Sequence, residues 1–156
     1  QIIPNKKIDP NNYIEPDELV NLIEVFWKAK DRFIDDYVQK NPLNLTYRNL
    51  NIIKDFKYGM RKNFLLAVYE KNYTVLNDEG INYMVKGLNE NLDKFIPAEK
   101  TPMLIQTAIM PFNGMIIYDG FISTADMQLS QELVSKAFED YSYGQKIYSL
   151  LPKNMN

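Results

Sequence analysis

The stretch IMPFNGMIIYDGFI, residues 109–122, decides the fold that this sequence predicts. It is apolar for most of its length and is interrupted twice by a turn dipeptide, first Asn113-Gly114 and then Asp119-Gly120. Asn-Gly between two apolar runs is a strong signal for a tight β-hairpin, because both residues tolerate the positive φ angles of a type I′ turn. We therefore predict a hairpin at the first dipeptide and a second bend one strand length later.

The turn also predicts the register of this hairpin. Phe112 should pair with Met115, and Pro111 should lie opposite Ile116. Because proline has no N–H to donate, the strand should have an edge or a bulge at Pro111.

The first part of the chain has helical spacing. Apolar residues recur at intervals of three and four and predict an amphipathic helix of five to six turns that begins at Pro16 and ends at Asn41-Pro42. Thr46 is a suitable N-cap for a second, shorter helix, which Gly59 should end.

The spacing then changes to that of strands. Residues 64–69, 73–76 and 81–86 predict a three-stranded meander, in which the third strand alternates and should have one exposed face. Residues 89–95 predict a short helix with Leu88, Leu92 and either Phe95 or Ile96 facing inward.

The end of the chain returns to helical spacing. The strand 103–110 leads into the opening hairpin, and Ser130 should cap a helix that runs to about Tyr143, with Gly144 after it. The apolar tail, residues 147–152, should pack back on the domain.

Helices followed by strands and then a helix indicate an α+β fold. We predict N-terminal helices, a small antiparallel sheet of about five strands, either open or curled towards a barrel, and a C-terminal helix. Residues 1–156 should form a single domain. Within it, residues 1–15 are an extended lead-in, 16–60 the helical part, and 62–152 the sheet with the C-terminal helix.

Histidine and cysteine are both absent from the 156 residues. This excludes cysteine nucleophiles, Ser-His pairs, disulfides and zinc sites with thiolate or imidazole ligands. Any catalysis would use Asp, Glu, Lys, Tyr, Ser or Thr, and a metal site would need oxygen ligands, which favour Mg²⁺ or Ca²⁺. We expect no metal and no other cofactor.

The formal net charge of −2 gives no field that would attract nucleic acid or an anionic membrane surface. No apolar run approaches the length of a membrane span, and no signal peptide is visible. The cytoplasm is the favoured location, and export stays open because the chain begins at Gln1 and not at Met.

Asp119 is the candidate acid of the opening stretch. Its position in a turn favours a carboxylate that bonds its own backbone, and the alternative is an active-site acid. Candidate binding residues are the neighbouring Tyr118 and Phe112, and Trp27 on the aromatic stripe of the first helix.

The segment KDFKYGMRK, residues 54–62, interleaves cations with aromatic residues, as surfaces that bind single-stranded nucleic acid do. Its candidate contacts are Lys54, Lys57, Arg61 and Lys62. A single cluster in an acidic protein favours an ordinary surface over a nucleic-acid site.

The C-terminal part of the sequence resembles an uncharacterised family of bacterial proteins. The shared element is LPF-x-G-x-IIYDG followed by a helix and a closing I-x-SLP. The matching residues are Pro111, Phe112, Gly114, Ile116, Ile117, Tyr118, Asp119, Gly120, Ile147, Ser149, Leu151 and Pro152. The similarity covers about residues 62–152. It implies an architecture defined by the opening stretch and no catalytic residue, because no activity is known for that family.

Three functions are thus compatible with the sequence. The favoured one is a non-enzymatic interaction module that binds a protein partner or a second copy through an apolar, tyrosine-rich surface or a strand edge near Pro111. The alternative is a carboxylate-based hydrolase, with or without Mg²⁺, that uses Asp119. Nucleic-acid binding through residues 54–62 comes third.

Overall fold

The computed structural model describes residues 13–124 and 129–153. Its helices are α1 (Pro16–Lys28), α2 (Lys30–Lys40), α3 (Tyr47–Asp55) and α4 (Gln131–Tyr143). Its strands are β1 (Met60–Tyr69), β2 (Thr74–Asp78), β3 (Ile81–Lys86), β4 (Met103–Phe112), β5 (Met115–Tyr118), β6 (Ser123–Thr124) and β7 (Gln145–Ile147). The α+β class and the C-terminal helix are confirmed. Most of the predicted lead-in, residues 1–12, lies outside the described residues.

Five strands of the sheet close into a ring. Their order is β1-β2-β3-β5-β4, and β4 pairs back with β1 from Met60↔Ile109 to Leu66↔Met103. The sheet is mixed, because β3 pairs in parallel with both β5 and β7. The prediction of a purely antiparallel sheet is therefore wrong. The chain between β3 and β5 passes through β4, and such a crossing connection is what a parallel pair needs.

The hairpin at Asn113-Gly114 has the predicted geometry. The two turn residues have φ angles of 47° and 77°, and the pairs Phe112↔Met115 and Pro111↔Ile116 are those that the turn predicts. The pairing of β1 with β4 ends at Ile109, so Pro111 has a strand neighbour on the β5 side alone. The edge predicted at Pro111 is therefore observed, although Pro111 itself is buried.

The single long N-terminal helix is a wrong prediction, because the helix breaks at Ala29. Ala29 has φ −129° and ψ 28°, and it separates α1 from α2. The break allows the rings of Phe26 and Phe33 to stack with centroids 6.1 Å apart. Seven residues of straight helix would separate them by about 10 Å along the axis.

The two predicted N-caps are confirmed. The Thr46 hydroxyl accepts a hydrogen bond from the Asn49 N–H at 3.3 Å, and the Ser130 hydroxyl accepts one from the Leu133 N–H at the same distance. Each satisfies a donor of the first helical turn that has no partner within the helix.

Strand β3 is buried on both faces, whereas the sequence predicted one exposed face. Tyr83 and Val85 face the core inside the ring, and Met84 packs in a second cluster that includes Tyr141 of α4. Asn82 is 0% exposed, and its amide binds the end of α4. The covering helix lies some fifty residues further along the chain, so the local alternation could not indicate it.

Residues 87–102, which we call the connecting segment, contain two short 3-10 helices, Leu92–Lys94 and Ala98–Lys100, and the first lies within the short helix predicted over 89–95. Leu92 and Ile96 are buried in the core, as expected.

Two tyrosine hydroxyls tie the connecting segment to the ring. Tyr69 donates to the Ile96 carbonyl and Tyr118 to the Glu90 carbonyl, each at 2.7 Å. Burial raises the pKa of Tyr69 to about 12, so this hydroxyl stays a donor at neutral pH.

Candidate functional site

A groove with a volume of about 580 Å³ runs along the β4–β5 hairpin. Three of the predicted site residues, Phe112, Tyr118 and Asp119, line it. The other walls come from Phe56, in the 3-10 turn after α3, and from the connecting segment. The volume is within the range that ligand sites in proteins usually have.

The lining of the groove is mostly apolar. Its apolar side chains are those of Phe56, Leu88, Phe95, Met110, Phe112 and Ile117. Leu88 is 58% exposed and Phe95 is 59% exposed, so both present apolar surface to solvent. The sequence had placed Leu88 inward and left Phe95 and Ile96 as alternatives. Ile96 takes the inward position, and Phe95 is left at the groove.

The charged residues of this lining are both acids, Glu90 and Asp119. None of the described residues that line the groove is Lys or Arg. The groove therefore combines an apolar floor with negative charge.

Asp119 forms the predicted turn and also reaches the groove. Its Oδ1 accepts the Phe121 N–H at 3.0 Å and lies 3.4 Å from the Thr107 hydroxyl, while its own N–H donates to the Ala108 carbonyl at 3.0 Å. Two of these bonds hold the side chain, and the third holds the backbone of Asp119. Both side-chain bonds use Oδ1.

Burial raises the pKa of Asp119 above its ordinary value of 3.8. The Phe121 N–H and the positive charge of Arg61 oppose this effect and do not cancel it. A carboxyl group whose pKa is raised by desolvation is common at functional sites and also occurs in structural ones.

This raised pKa predicts how Asp119 affects stability. Because the folded protein holds this proton more tightly than the unfolded chain, stability should fall as the pH rises from 3.8 through the folded pKa. Asp119→Asn keeps the turn acceptor and removes the charge. We expect the variant to be the more stable protein at neutral pH and the difference to vanish at acidic pH, measured by urea unfolding across the range. A difference that grows towards acidic pH would contradict this assignment.

Tyr118 supports the groove instead of presenting an exposed aromatic side chain. It is buried in the core that the five strands enclose, and its hydroxyl donates to the Glu90 carbonyl in the groove wall. Phe112, on the outer side of the hairpin, is only partly buried. The predicted binding role therefore fits Phe112 better than Tyr118.

Trp27 lies outside this lining. Its ring packs edge-on against Phe26, with centroids 5.6 Å apart, and lies close over Gly59. A Cβ at Gly59 would lie 3.1 Å from the Trp27 ring and 3.0 Å from the Ile109 carbonyl oxygen. Trp27 thus fastens α1 to the start of β1.

The structure brings Lys54 and Lys57 to one cleft, which three aspartates also line, but it does not gather all four basic candidates into one surface. Arg61 and Lys62 are adjacent on β1 and so point to opposite faces of the strand. Lys57 pairs with Asp35 at 2.5 Å and Lys62 with Asp78 at 2.6 Å.

The remaining two basic candidates also lie apart from each other. Lys54 lies 6.0 Å from the centre of the Tyr47 ring. The Arg61 side chain is 8% exposed, and its Nε lies 3.1 Å from Glu24. These four residues therefore do not form a row of unpaired cations that could bind the phosphates of a nucleic acid.

Arg61 has a structural environment that the sequence did not indicate. Nη2 lies 3.3 Å from Gln106, and Nη1 is buried with no hydrogen-bond partner among the described residues. In the sequence, a cation among aromatic residues looks like part of an exposed cluster. The burial of Arg61 becomes visible only in the structure, where α1 packs over β1.

Comparison with models of protein families, with curated proteins and with solved structures gives no match. The resemblance to a bacterial family therefore stays a prediction.

Two further features bear on function. Among the described residues, no three acidic side chains are grouped so that they could hold a metal ion. Within the same part of the chain, no helix has both the length and the hydropathy to cross a bilayer.

Proposed function

We propose that this protein is a non-enzymatic interaction module whose groove along the β4–β5 hairpin binds an apolar segment of a partner protein. The observation that carries the proposal is the exposed pair Leu88 and Phe95 beside the partly buried Phe112 in one groove. Aromatic side chains in such a groove are typical anchors for a partner.

Side chains, and not a strand edge, are the means of recognition in this proposal. Along most of the ring each strand has a neighbour on both sides, and at the free end of β4 Pro111 has no N–H to donate, so an added β-strand has little backbone to pair with. A partner would instead insert apolar side chains between Phe95 and Phe112.

Phe95→Ser tests the proposal. Short random peptides displayed on phage are selected against the full chain, and the enriched peptides are measured by fluorescence anisotropy. We expect the variant to weaken binding by at least about tenfold, because an aromatic anchor contributes that much. Its stability should change by less than about 0.5 kcal/mol, because the ring is exposed.

Phe138→Ser is the matched control for this experiment. Phe138 is 53% exposed on α4, and the small cleft that it lines, beside Ala67 and Val68, has no residue in common with the groove. Equal losses in the two variants, or no enriched peptide, would contradict the proposal. Self-association that Phe95→Ser abolishes would instead assign the groove to a second copy.

A carboxylate-based hydrolase is the second candidate. Glu90 and Asp119 line the same groove, and burial raises the pKa of Asp119. However, Oδ1 of Asp119 is engaged by its own turn. We therefore place this function after the interaction module. The dispersed and paired basic residues give still less support to nucleic-acid binding.

A further inference from the structure

The charge of the groove specifies more about its occupant than its apolar lining does. Glu90 and Asp119 are the charged residues of the lining, and they carry the same sign. An anionic partner would be repelled there, and a wholly apolar one would leave the carboxylates without a counter-charge. A cation next to an apolar group satisfies both parts of the groove.

Asp119 is the better placed of the two acids to receive a cation. Phe121 and Thr107 fix its carboxylate through Oδ1, so the position of Oδ2 is set before a ligand arrives. Glu90 is exposed, and a solvated carboxylate contributes little to binding. A preorganised and partly desolvated acceptor forms the stronger charge-assisted bond.

Arg61 is the cation within the protein that acts on Asp119, and it compensates the charge only in part. Its guanidinium group is directed to Glu24 through Nε and to Gln106 through Nη2. Burial still raises the pKa of Asp119 in the presence of Arg61. Arg61 therefore does not offset the effect of burial on this carboxyl group.

We infer that the groove binds a protein segment in which an apolar side chain stands next to a Lys or Arg, and that Asp119 receives the cation. The inference rests on the proposed function and adds the chemistry by which the partner is selected. Phe95 and Phe112 hold the apolar side chain, and Asp119 distinguishes basic segments from neutral or acidic ones of the same shape.

Asp119→Asn is the appropriate variant, because asparagine is almost the same shape as aspartate. Its side-chain oxygen can accept the same bonds from Phe121 and Thr107, so the turn is kept. Glu139→Gln, on the exposed surface of α4, is the matched control for the loss of one negative charge. Thermal unfolding of both variants checks that the fold is unchanged.

The probes are the peptides enriched from the random library against the full chain. We expect Lys or Arg beside an aromatic or aliphatic residue in these peptides. Asp119→Asn should weaken their binding by about tenfold, as expected for a charged hydrogen bond, and Glu139→Gln should leave it unchanged. Replacing the cation in the peptide by citrulline or norleucine should cause the same loss with the unaltered chain and little further loss with Asp119→Asn.

The outcomes separate this inference from the proposed function. Enriched peptides without a basic residue, or equal affinity for the unaltered chain and Asp119→Asn, would overturn the inference. If Phe95→Ser still weakens binding in that case, the interaction module stands. If neither Phe95→Ser nor Asp119→Asn affects binding, both the inference and the proposed function are wrong. The neutral peptide measured against the unaltered chain decides the question even if Asp119→Asn folds poorly.

Discussion

Asn82→Asp is expected to destabilise the protein by roughly 3 to 5 kcal/mol at neutral pH, as an unpaired buried charge does. Asn82 is 0% exposed, and its Nδ2 donates to the Asp140 and Tyr141 carbonyls at 3.0 and 3.3 Å. A carboxylate would bring an oxygen against these two carbonyl oxygens. The bonds that attach the end of α4 to β3 would be lost.

The loss of stability caused by Asn82→Asp should depend on pH. Burial would raise the pKa of the new carboxyl group, so the folded variant takes up a proton more readily than the unfolded one. The penalty should therefore be full above the folded pKa and should shrink towards acidic pH, where the protonated group can donate one hydrogen bond. Urea unfolding of the variant and the unaltered chain at each pH measures the difference.

Asn63→Asp is the matched control for this substitution, because Asn63 is an exposed residue of β1. It should change stability by less than about 0.5 kcal/mol. A loss below about 1 kcal/mol at Asn82, or a loss that does not shrink in acid, would show that Asn82 does not hold α4 in this way.

Gly87→Ala is expected to cost roughly 3 kcal/mol and to impair the groove as well, because it crowds the backbone of the connecting segment. A Cβ at Gly87 would lie 1.8 Å from the Glu90 carbonyl oxygen and 2.8 Å from the Asn91 nitrogen. That carbonyl accepts the Tyr118 hydroxyl at 2.7 Å, and the Gly87 N–H donates to Asn91 at 2.9 Å. The segment must move, and Leu88 in the groove wall moves with it.

Gly114→Ala separates crowding from backbone conformation. Gly114 has a φ of 77°, and a Cβ there would meet no atom within 4 Å. Gly114→Ala should lower the free energy of unfolding by about 1 kcal/mol, because alanine is strained in the left-handed conformation. Thermal unfolding and peptide anisotropy measure both variants. If Gly87→Ala costs no more than Gly114→Ala and leaves peptide binding unchanged, the connecting segment does not shape the groove.

The parts of the fold that depend on neighbouring residues are predicted well by the sequence. The register of the 112–115 hairpin follows from Asn113-Gly114, and the starts of α3 and α4 follow from Thr46 and Ser130. In each case the deciding interaction spans at most a few residues. Asp119 was assigned to its turn for the same reason, and the bond from Phe121 confirms that assignment.

Features that depend on distant residues were missed. The second buried face of β3 reflects the arrival of α4. The groove combines the hairpin with a connecting segment that lacks a regular period. Phe112 and Asp119 were therefore identified as candidates, whereas Leu88, Glu90 and Phe95 were not. Apolar residues such as Leu88 and Phe95 on either side of a buried Leu92 indicate that the segment packs on the domain. They do not indicate which of these side chains faces outward.

The pairing of β1 with β4 also determines how slowly the protein can fold. Leu66 meets Met103 and Met60 meets Ile109, so a long stretch of chain must be gathered before these contacts form. The entropy of that loop closure is lost before the contacts compensate for it. A mixed domain of helices and strands with such distant pairs should fold more slowly than a helical bundle does. The rate-limiting step should accordingly be the meeting of β1 and β4, after the 112–115 hairpin has formed.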